Sequence, residues 1–397
     1  MSTAIKSGNR SQRSSMSNDD SPMDRTMVAT VSALAPYKPP VDAREHFLVL
    51  VDGWQPGLRI RLDGKPIKLG RNAGCDVVLP DSQVSGQHCE IHVRPNQPDV
   101  TLHDLGSTNG SFIEGKRVQA VAKLRPGGML RIGSQVFMHQ YLLKAEVAKA
   151  AELDRDLDKA RSYVQSLLPA PIRSGPVLTE WFFLPSTDLG GDAFGYHQLT
   201  EHSFAGYLID VSGHGVGAAM HSTTVMNVLR QRALPDTDFH DPAAVLASLN
   251  NMFQMDSHDG MYFSIWYGVY DARTRKLCYA SGGHHPAYLK SPTDAAGDAI
   301  LPLQTRNLVI GAMPGVRFTD ASVTVEPGSM LYVFSDGVFE VITRDGAQWG
   351  LKDFLPLLGA GSGTAASEPA RLYAAVQQVA RPGPLDDDFS LLTVTFA

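Results

Sequence analysis

Residues 203–215 read SFAGYLIDVSGHG, and residues 330–337 read MLYVFSDG. Each is a run of β-favouring and aromatic residues, too apolar to leave one face in water, that ends in an aspartate beside a glycine-rich turn. Two more aspartate-bearing segments flank them: LGGD, ending at Asp192, and DDDFSLL, from Asp386 to Asp388, which runs into the apolar stretch FSLLTVTF. A carboxylate at the end of a buried strand is costly unless it is paired or coordinates a cation. The four segments offer hard oxygen donors without His or Cys partners, a set that selects Mg2+ or Mn2+. Two such ions held about 3.5–4 Å apart activate a bridging water and clamp a phosphoryl group for in-line attack. Taken singly, Asp-Gly is a turn signal, and a C-terminal DDD is usually solvated charge. The ordered set carries the reading.

Outward from these segments, the C-terminal half mixes two periods. Further strands are predicted at MYFSIWYGVYD, KLCYAS and PAYLK, and helices at about 216–232, 242–255 and 365–379. Strands grouped apart from helices predict an α+β domain with antiparallel sheets covered by helices. The stretches SPTDAAGDA near Ser291 and GAGSGTAASEP near Gly359 read as exposed loops. His214 and the pair His284-His285 have the chemistry of general acids. His214 sits between two glycines of a tight turn, and no catalytic role is assigned to any of the three.

The N-terminal half is different in kind. Residues 1–45 are rich in Ser, Asn, Asp and Pro and read as a disordered tail. From His46 to Leu143, short β-rich runs alternate with turn residues, which predicts an all-β sandwich. Four pieces fall in order at predicted strand ends: LGR (69–71), VSGQH (84–88), LGSTNG (105–110) and the following SFIEGKRV. Arg71, the hydroxyls of Ser85 and Thr108, and the Asn109 amide together supply one charged fork and several neutral donors, which suits a phosphate monoester.

Between the halves, Leu143, Val147, Ala150, Leu153, Leu157, Ala160, Val164 and Leu167 recur at steps of three and four, and Pro169 and Pro171 come after them. This predicts one amphipathic helix over 144–168 with a narrow apolar stripe. The stripe suits a homodimer seam and a helix lying on a neighbouring domain equally well.

The net charge of −6 and the lack of a basic block argue against nucleic acid and anionic membrane as partners. Cys75, Cys89 and Cys278 share no ligand spacing, which fits a reducing compartment, and no stretch approaches the roughly 20 apolar residues of a membrane span. A cytoplasmic protein is expected.

The N-terminal motifs resemble the FHA domain family across 46–143. The resemblance implies that Arg71, Ser85 and Thr108 hold the phosphate of a phosphothreonine in a partner protein, and that Asn109 holds the adjoining peptide backbone. Gly86 departs from the family, which commonly has a polar donor after the serine, so modest affinity is expected. The C-terminal motifs, with LLP at 167–169 and the Ala280–Leu289 stretch, resemble the SpoIIE/RsbU branch of metal-dependent (PPM) serine/threonine phosphatases across about 167–397, the domain itself being expected over 169–397. That implies two Mn2+ or Mg2+ ions, with Asp210 bridging them, the Val211 carbonyl assisting, Asp192 and Asp336 completing the site, and Asp387 as the C-terminal ligand. Asp210 and Asp336 are the implied catalytic centre. Gly195 stands where the family often has another aspartate. The implied substrate is a phosphoserine or phosphothreonine protein, with a STAS-type anti-sigma antagonist one instance. A non-catalytic scaffold and a hydrolase of small phosphoesters are the other classes. The retained aspartates argue against the first, and the lack of a Walker-type loop argues against the second.

Overall fold

The computed structural model describes residues 43–257, 260–292, 300–359 and 367–397. Nearly all of the expected disordered tail, and most of the two expected exposed loops, lie outside the described residues. Two compact units meet along the chain between Ala148 and Lys149.

Among the described residues the first unit holds eleven strands: β1 (Arg44–Asp52), β2 (Arg59–Leu62), β3 (Ile67–Gly70), β4 (Val77–Val78), β5 (Cys89–Val93), β6 (Val100–Asp104), β7 (Ser111–Ile113), β8 (Lys116–Arg117), β9 (Val121–Leu124), β10 (Met129–Ile132) and β11 (Gln135–Leu143). They form a six-stranded sheet of order β2-β1-β11-β10-β7-β8 and a five-stranded sheet of order β4-β3-β5-β6-β9. Alternate residues such as Leu48 and Leu50 of β1, Ile91 of β5, Leu102 of β6 and Leu130 and Ile132 of β10 fill one buried core, as the two-residue period of a strand requires. Register aligns Leu69 with Cys89 and Cys89 with Asp104. The end of β3, the start of β5 and the end of β6 therefore share one pole, and their loops gather there.

Helix α1 (Lys144–Leu167) continues directly from β11. None of its residues is fully buried, and Leu153 of the apolar stripe is 60% exposed. Leu167 packs against the core of the second unit.

The second unit is a four-layer arrangement of helices, sheet, sheet and helices. Its strands are β12 (Val177–Leu184), β13 (Asp192–Gln198), β14 (Ser203–Val211), β15 (Phe263–Asp271), β16 (Lys276–Gly282), β17 (Ala287–Lys290), β18 (Leu301–Leu303), β19 (Ala321–Thr324), β20 (Met330–Phe334), β21 (Val341–Ile342), β22 (Gln348–Trp349) and β23 (Phe389–Phe396). One sheet has the order β13-β14-β15-β16-β19, the other β12-β23-β20-β17-β18. Its helices are α2 (Val216–Arg230), α3 (Pro242–Met252), α4 (Leu351–Phe354) and α5 (Glu368–Val379).

Strand β14 shows why its sequence is apolar throughout. Tyr207, Ile209 and Val211 pack with Val225 of α2 and Leu249 of α3, while Phe204 and Leu208 pack with Leu331 and Leu392 of the facing sheet. Helices α4 and α5 cover that second sheet through Phe354, Leu372 and Val376. The central antiparallel β-sandwich flanked by helices is the expected α+β architecture. Strands β12 and β13 go beyond what was predicted: VLTEWFFL and DAFGYHQ neighbour Pro185 and the Gly190-Gly191 pair, whose turn signals left them unread.

Candidate active site and phosphopeptide site

The acidic site is built at one open end of the sandwich. Strand β13 begins at Asp192, directly across from Asp210 near the end of β14. Asp210 shares the strand face of Leu208, which looks toward the second sheet. From that sheet, β20 ends just before Asp336, and β23 starts just after Asp388, with Phe334 beside Leu391. Both sheets thus deliver carboxylates to the same rim. Beyond Val211 the chain leaves the strand through Gly213 and Gly215, whose φ angles of +89° and +85° suit glycine, and enters α2.

Asp210, Val211, Asp336 and Asp387 line a cleft of about 300 Å3, together with His214, Asp386 and Asp388, and among the described residues no Lys or Arg lines it. Asp192 lies behind this cleft, 5% exposed, with its Oδ2 accepting from Ser390 Oγ at 2.6 Å. The three C-terminal aspartates differ in engagement. Asp386 pairs with Arg381. Asp388 accepts from Ser186 N–H at 2.7 Å, Ser186 Oγ at 3.0 Å and Asp192 N–H at 3.3 Å. Asp387 accepts from Asp388 N–H at 2.7 Å and faces the cleft. The strap that Asp388 makes from the β12–β13 connection to β23 was not foreseen in the sequence. Its partners lie about 200 positions away, and no local signal announces them.

Electrostatics mark these groups as short of positive charge. Burial pushes Asp210 up to about 7, and Asp336, Asp387, Asp388 and Glu340 push it the same way. Burial also raises Asp192, helped by Asp210 and Asp388, and raises Asp336, helped by Glu340. Asp387 is raised by burial, against the hydrogen bond from Asp388 N–H. Among the described residues no three acidic, imidazole or thiolate side chains converge closely enough to form a ready-made metal centre. A cleft of separated, mutually repelling carboxylates fits a hydrated hard cation, which keeps several waters and takes only one or two carboxylates directly.

At the pole of the first unit, Ser85 Oγ accepts from Thr108 N–H at 3.0 Å and lies 3.4 Å from Thr108 Oγ1. Arg71 N–H donates to Ser85 O at 2.9 Å, and the Arg71 side chain is exposed. Asn109 Nδ2 donates to Gln83 O at 2.7 Å. The four predicted residues are therefore brought to adjoining loops. Two carboxylates that sequence reading missed hold those loops. Asp104 accepts from the N–H groups of Gly106, Ser107 and Ser111 and from the hydroxyls of Ser107 and Ser111. Burial works against its charge, yet these bonds outweigh burial and keep its pKa low. Asp81 accepts from Gln83 N–H, from Ser134 N–H and Oγ and from Gln135 Nε2. The Asx-type spacing of Asp104 to Gly106 and Ser107 was the available signal.

Comparison with known proteins bears on both halves. The model of the family described as Stage II sporulation protein E (SpoIIE) matches residues 200–397, and the FHA domain model matches residues 67–133. The chain carries an FHA domain followed by a SpoIIE-type domain. It is 28% identical to Phosphoserine phosphatase RsbP of Bacillus subtilis over 190 residues, covering 47% of this chain and 45% of that protein. It is 27% identical to Phosphoserine phosphatase RsbU of the same organism, covering 49% of this chain and 56% of that protein. The chain thus spans about half the length of these two curated relatives. The FHA half is 32% identical to FHA domain-containing protein FhaB of Mycolicibacterium smegmatis, covering 29% of this chain and 75% of that protein. In three dimensions, the SiaA-PP2C domain of Pseudomonas aeruginosa aligns over 63% of this chain and 99% of its own, with a TM-score of 0.52 at 18% identity, a likeness of fold.

Within the SpoIIE-type domain, His284 and His285 do not line the cleft. Their Nδ1 atoms lie 2.8 and 3.0 Å from the carbonyls of His285 and Pro286, and burial lowers both pKa values. Gly195 pairs with Tyr207, and a Cβ there would meet Tyr207 Oη at 2.3 Å. Position 195 shares the strand face of Ala193, which packs in the helix-side core, so a carboxylate there would not point at Asp210. Among the described residues no helix is long and apolar enough to cross a membrane.

Proposed function

We propose that the chain is a Mg2+- or Mn2+-dependent protein serine/threonine phosphatase whose FHA domain binds phosphothreonine proteins and thereby recruits or regulates it. The observation that carries the reading is the cleft that Asp210, Asp336 and Asp387 line, with no Lys or Arg lining it among the described residues. Asp210, Asp336 and Asp387 would hold two ions from the two sheets. Val211, whose carbonyl would assist Asp210, lines the cleft, and Asp192 would complete the set from behind, oriented by Ser390. Bound there, the ions supply an activated water and charge stabilisation for displacement at phosphorus. Asp210 and Asp336 are the catalytic pair, and the flanking hydrogen bonds on Asp388 and Asp192 keep the rim rigid while substrate binds.

Arg71, Ser85 and Thr108 hold the phosphothreonine phosphate and Asn109 the peptide backbone. Two relatives are named phosphoserine phosphatases, and a phosphorylated STAS-type anti-sigma antagonist is the substrate we infer. A second copy of the chain pairs along α1, whose apolar stripe is left open over Leu153. The test is phosphate release from a panel of phosphoserine and phosphothreonine proteins with Mn2+, with Mg2+ and with chelator. Metal-independent turnover, or none on any phosphoprotein, overturns the reading.

A further inference from the structure

Gly86 lacks the polar side chain that the FHA resemblance leads one to expect, and the space beside it is filled from elsewhere. Arg71-Asn72 runs beside Ser85-Gly86, tied by Arg71 N–H to Ser85 O and Asn72 N–H to Gly86 O, both at 2.9 Å. A Cβ built on Gly86 would come within 2.8 Å of both Nδ2 and Oδ1 of Asn72. The Asn72 amide therefore lies in the volume that a side chain at 86 would enter, one residue from Arg71 on its own strand end and one from Ser85 on the neighbouring loop. Asn72 is exposed, and among the described residues its side-chain amide takes part in no hydrogen bond.

We propose that Asn72 is a phosphate-contacting residue of this domain, its amide N–H taking the place of the donor that Gly86 cannot supply. The inference rests on the reading that the domain binds phosphothreonine. An amide held on a backbone already fixed by two hydrogen bonds has little freedom to lose, and it gives up no internal partner when it turns to an anion. The sequence thus moves a donor from one loop to the next, and the departure at Gly86 costs the site less than it suggests.

The test uses the full chain and a fluorescent peptide pool with phosphothreonine fixed and flanking positions randomised, read by anisotropy beside the unphosphorylated pool. Asn72→Ala is expected to weaken binding of the phosphorylated pool about tenfold, as loss of one hydrogen bond to a charged group does. Asn72→Asp keeps the shape but replaces the donor with a like charge, and is expected to weaken binding further. Asn72→Ala combined with Gly86→Asn is expected to recover most of the loss, because the vacated space admits the new side chain. If Asn72→Asp binds like the parent while Arg71→Ala does not bind, Asn72 only packs the loop and the inference is wrong. If Arg71→Ala itself binds like the parent, the phosphothreonine reading fails first.

Discussion

Asp210 stands across from Asp192 and shares its cleft with Asp336 and Asp387, so a single residue carries much of the proposed charge. Asp210→Asn keeps the size but cannot bridge two cations, and phosphate release at saturating Mn2+ is expected to fall by about a hundredfold or more, since metal charge stabilisation amounts to several kcal/mol. Full turnover in that variant would refute the assignment. Arg71→Ala is expected to abolish phosphothreonine-peptide binding, each charged hydrogen bond being worth about 1.5–3 kcal/mol. Hydrolysis of a small chromogenic phosphoester should continue in the same variant. Asp104, which holds the loop bearing Thr108 and Asn109, makes a stability prediction. Asp104→Ala removes five acceptor bonds and should cost the FHA domain about 3 kcal/mol. Its folded pKa lies below the unfolded carboxylate value of about 3.9. The stabilisation is therefore complete above that value and is lost as pH falls through the lower folded one. Melting temperatures of parent and variant should differ widely at pH 7, and the gap should narrow as pH falls below about 3.9; a gap that does not narrow there would reject this account. The carboxylate types and their order were legible in the sequence. The engagement that sets Asp388 apart from Asp386 and Asp387 was not, since it depends on Ser186 and Asp192, which only folding brings near.

At the scale of elements, α1 is the covalent route from one domain to the other, and its apolar residues fall at steps of three and four. A spacer tolerates insertions, whereas a helix packed in one register does not. One residue inserted near Asp156 turns the C-terminal part of the helix by about 100° relative to its N-terminal part, while four nearly restore the face. We expect the single insertion to change solution mass or catalytic rate, and the four-residue insertion to resemble the parent, with peptide binding unchanged in both. Equal behaviour of all three would reduce the helix to a tether. The helix itself was plain in the sequence because its period is local. What covers the stripe was left open there, and Leu153 is still exposed in the folded chain.

As a whole, the molecule has two units, and buried clusters lie within each: Leu48, Leu69 and Phe137 in the first, Ile209, Trp266 and Leu392 in the second. Separate cores lead us to expect two calorimetric transitions. A phosphothreonine peptide should raise only the FHA transition, and Mn2+ only the other, each by binding its own folded unit. One shared transition that responds to both ligands would show that the units fold as one.

The sequence alone determined the α+β and all-β classes and the residue types offered to each proposed site, because those rest on strand period, turn residues and ordered motifs within a few positions of one another. Tertiary structure decided which of these residues meet. Strand β12 pairs with β23 from the far end of the domain, and Ser390 reaches Asp192 across 198 positions. Asp192 consequently stands behind the cleft while Asp387 faces it. Pairing across such separations is set by which faces can be buried together, a property of the assembled layers that no local stretch of chain contains.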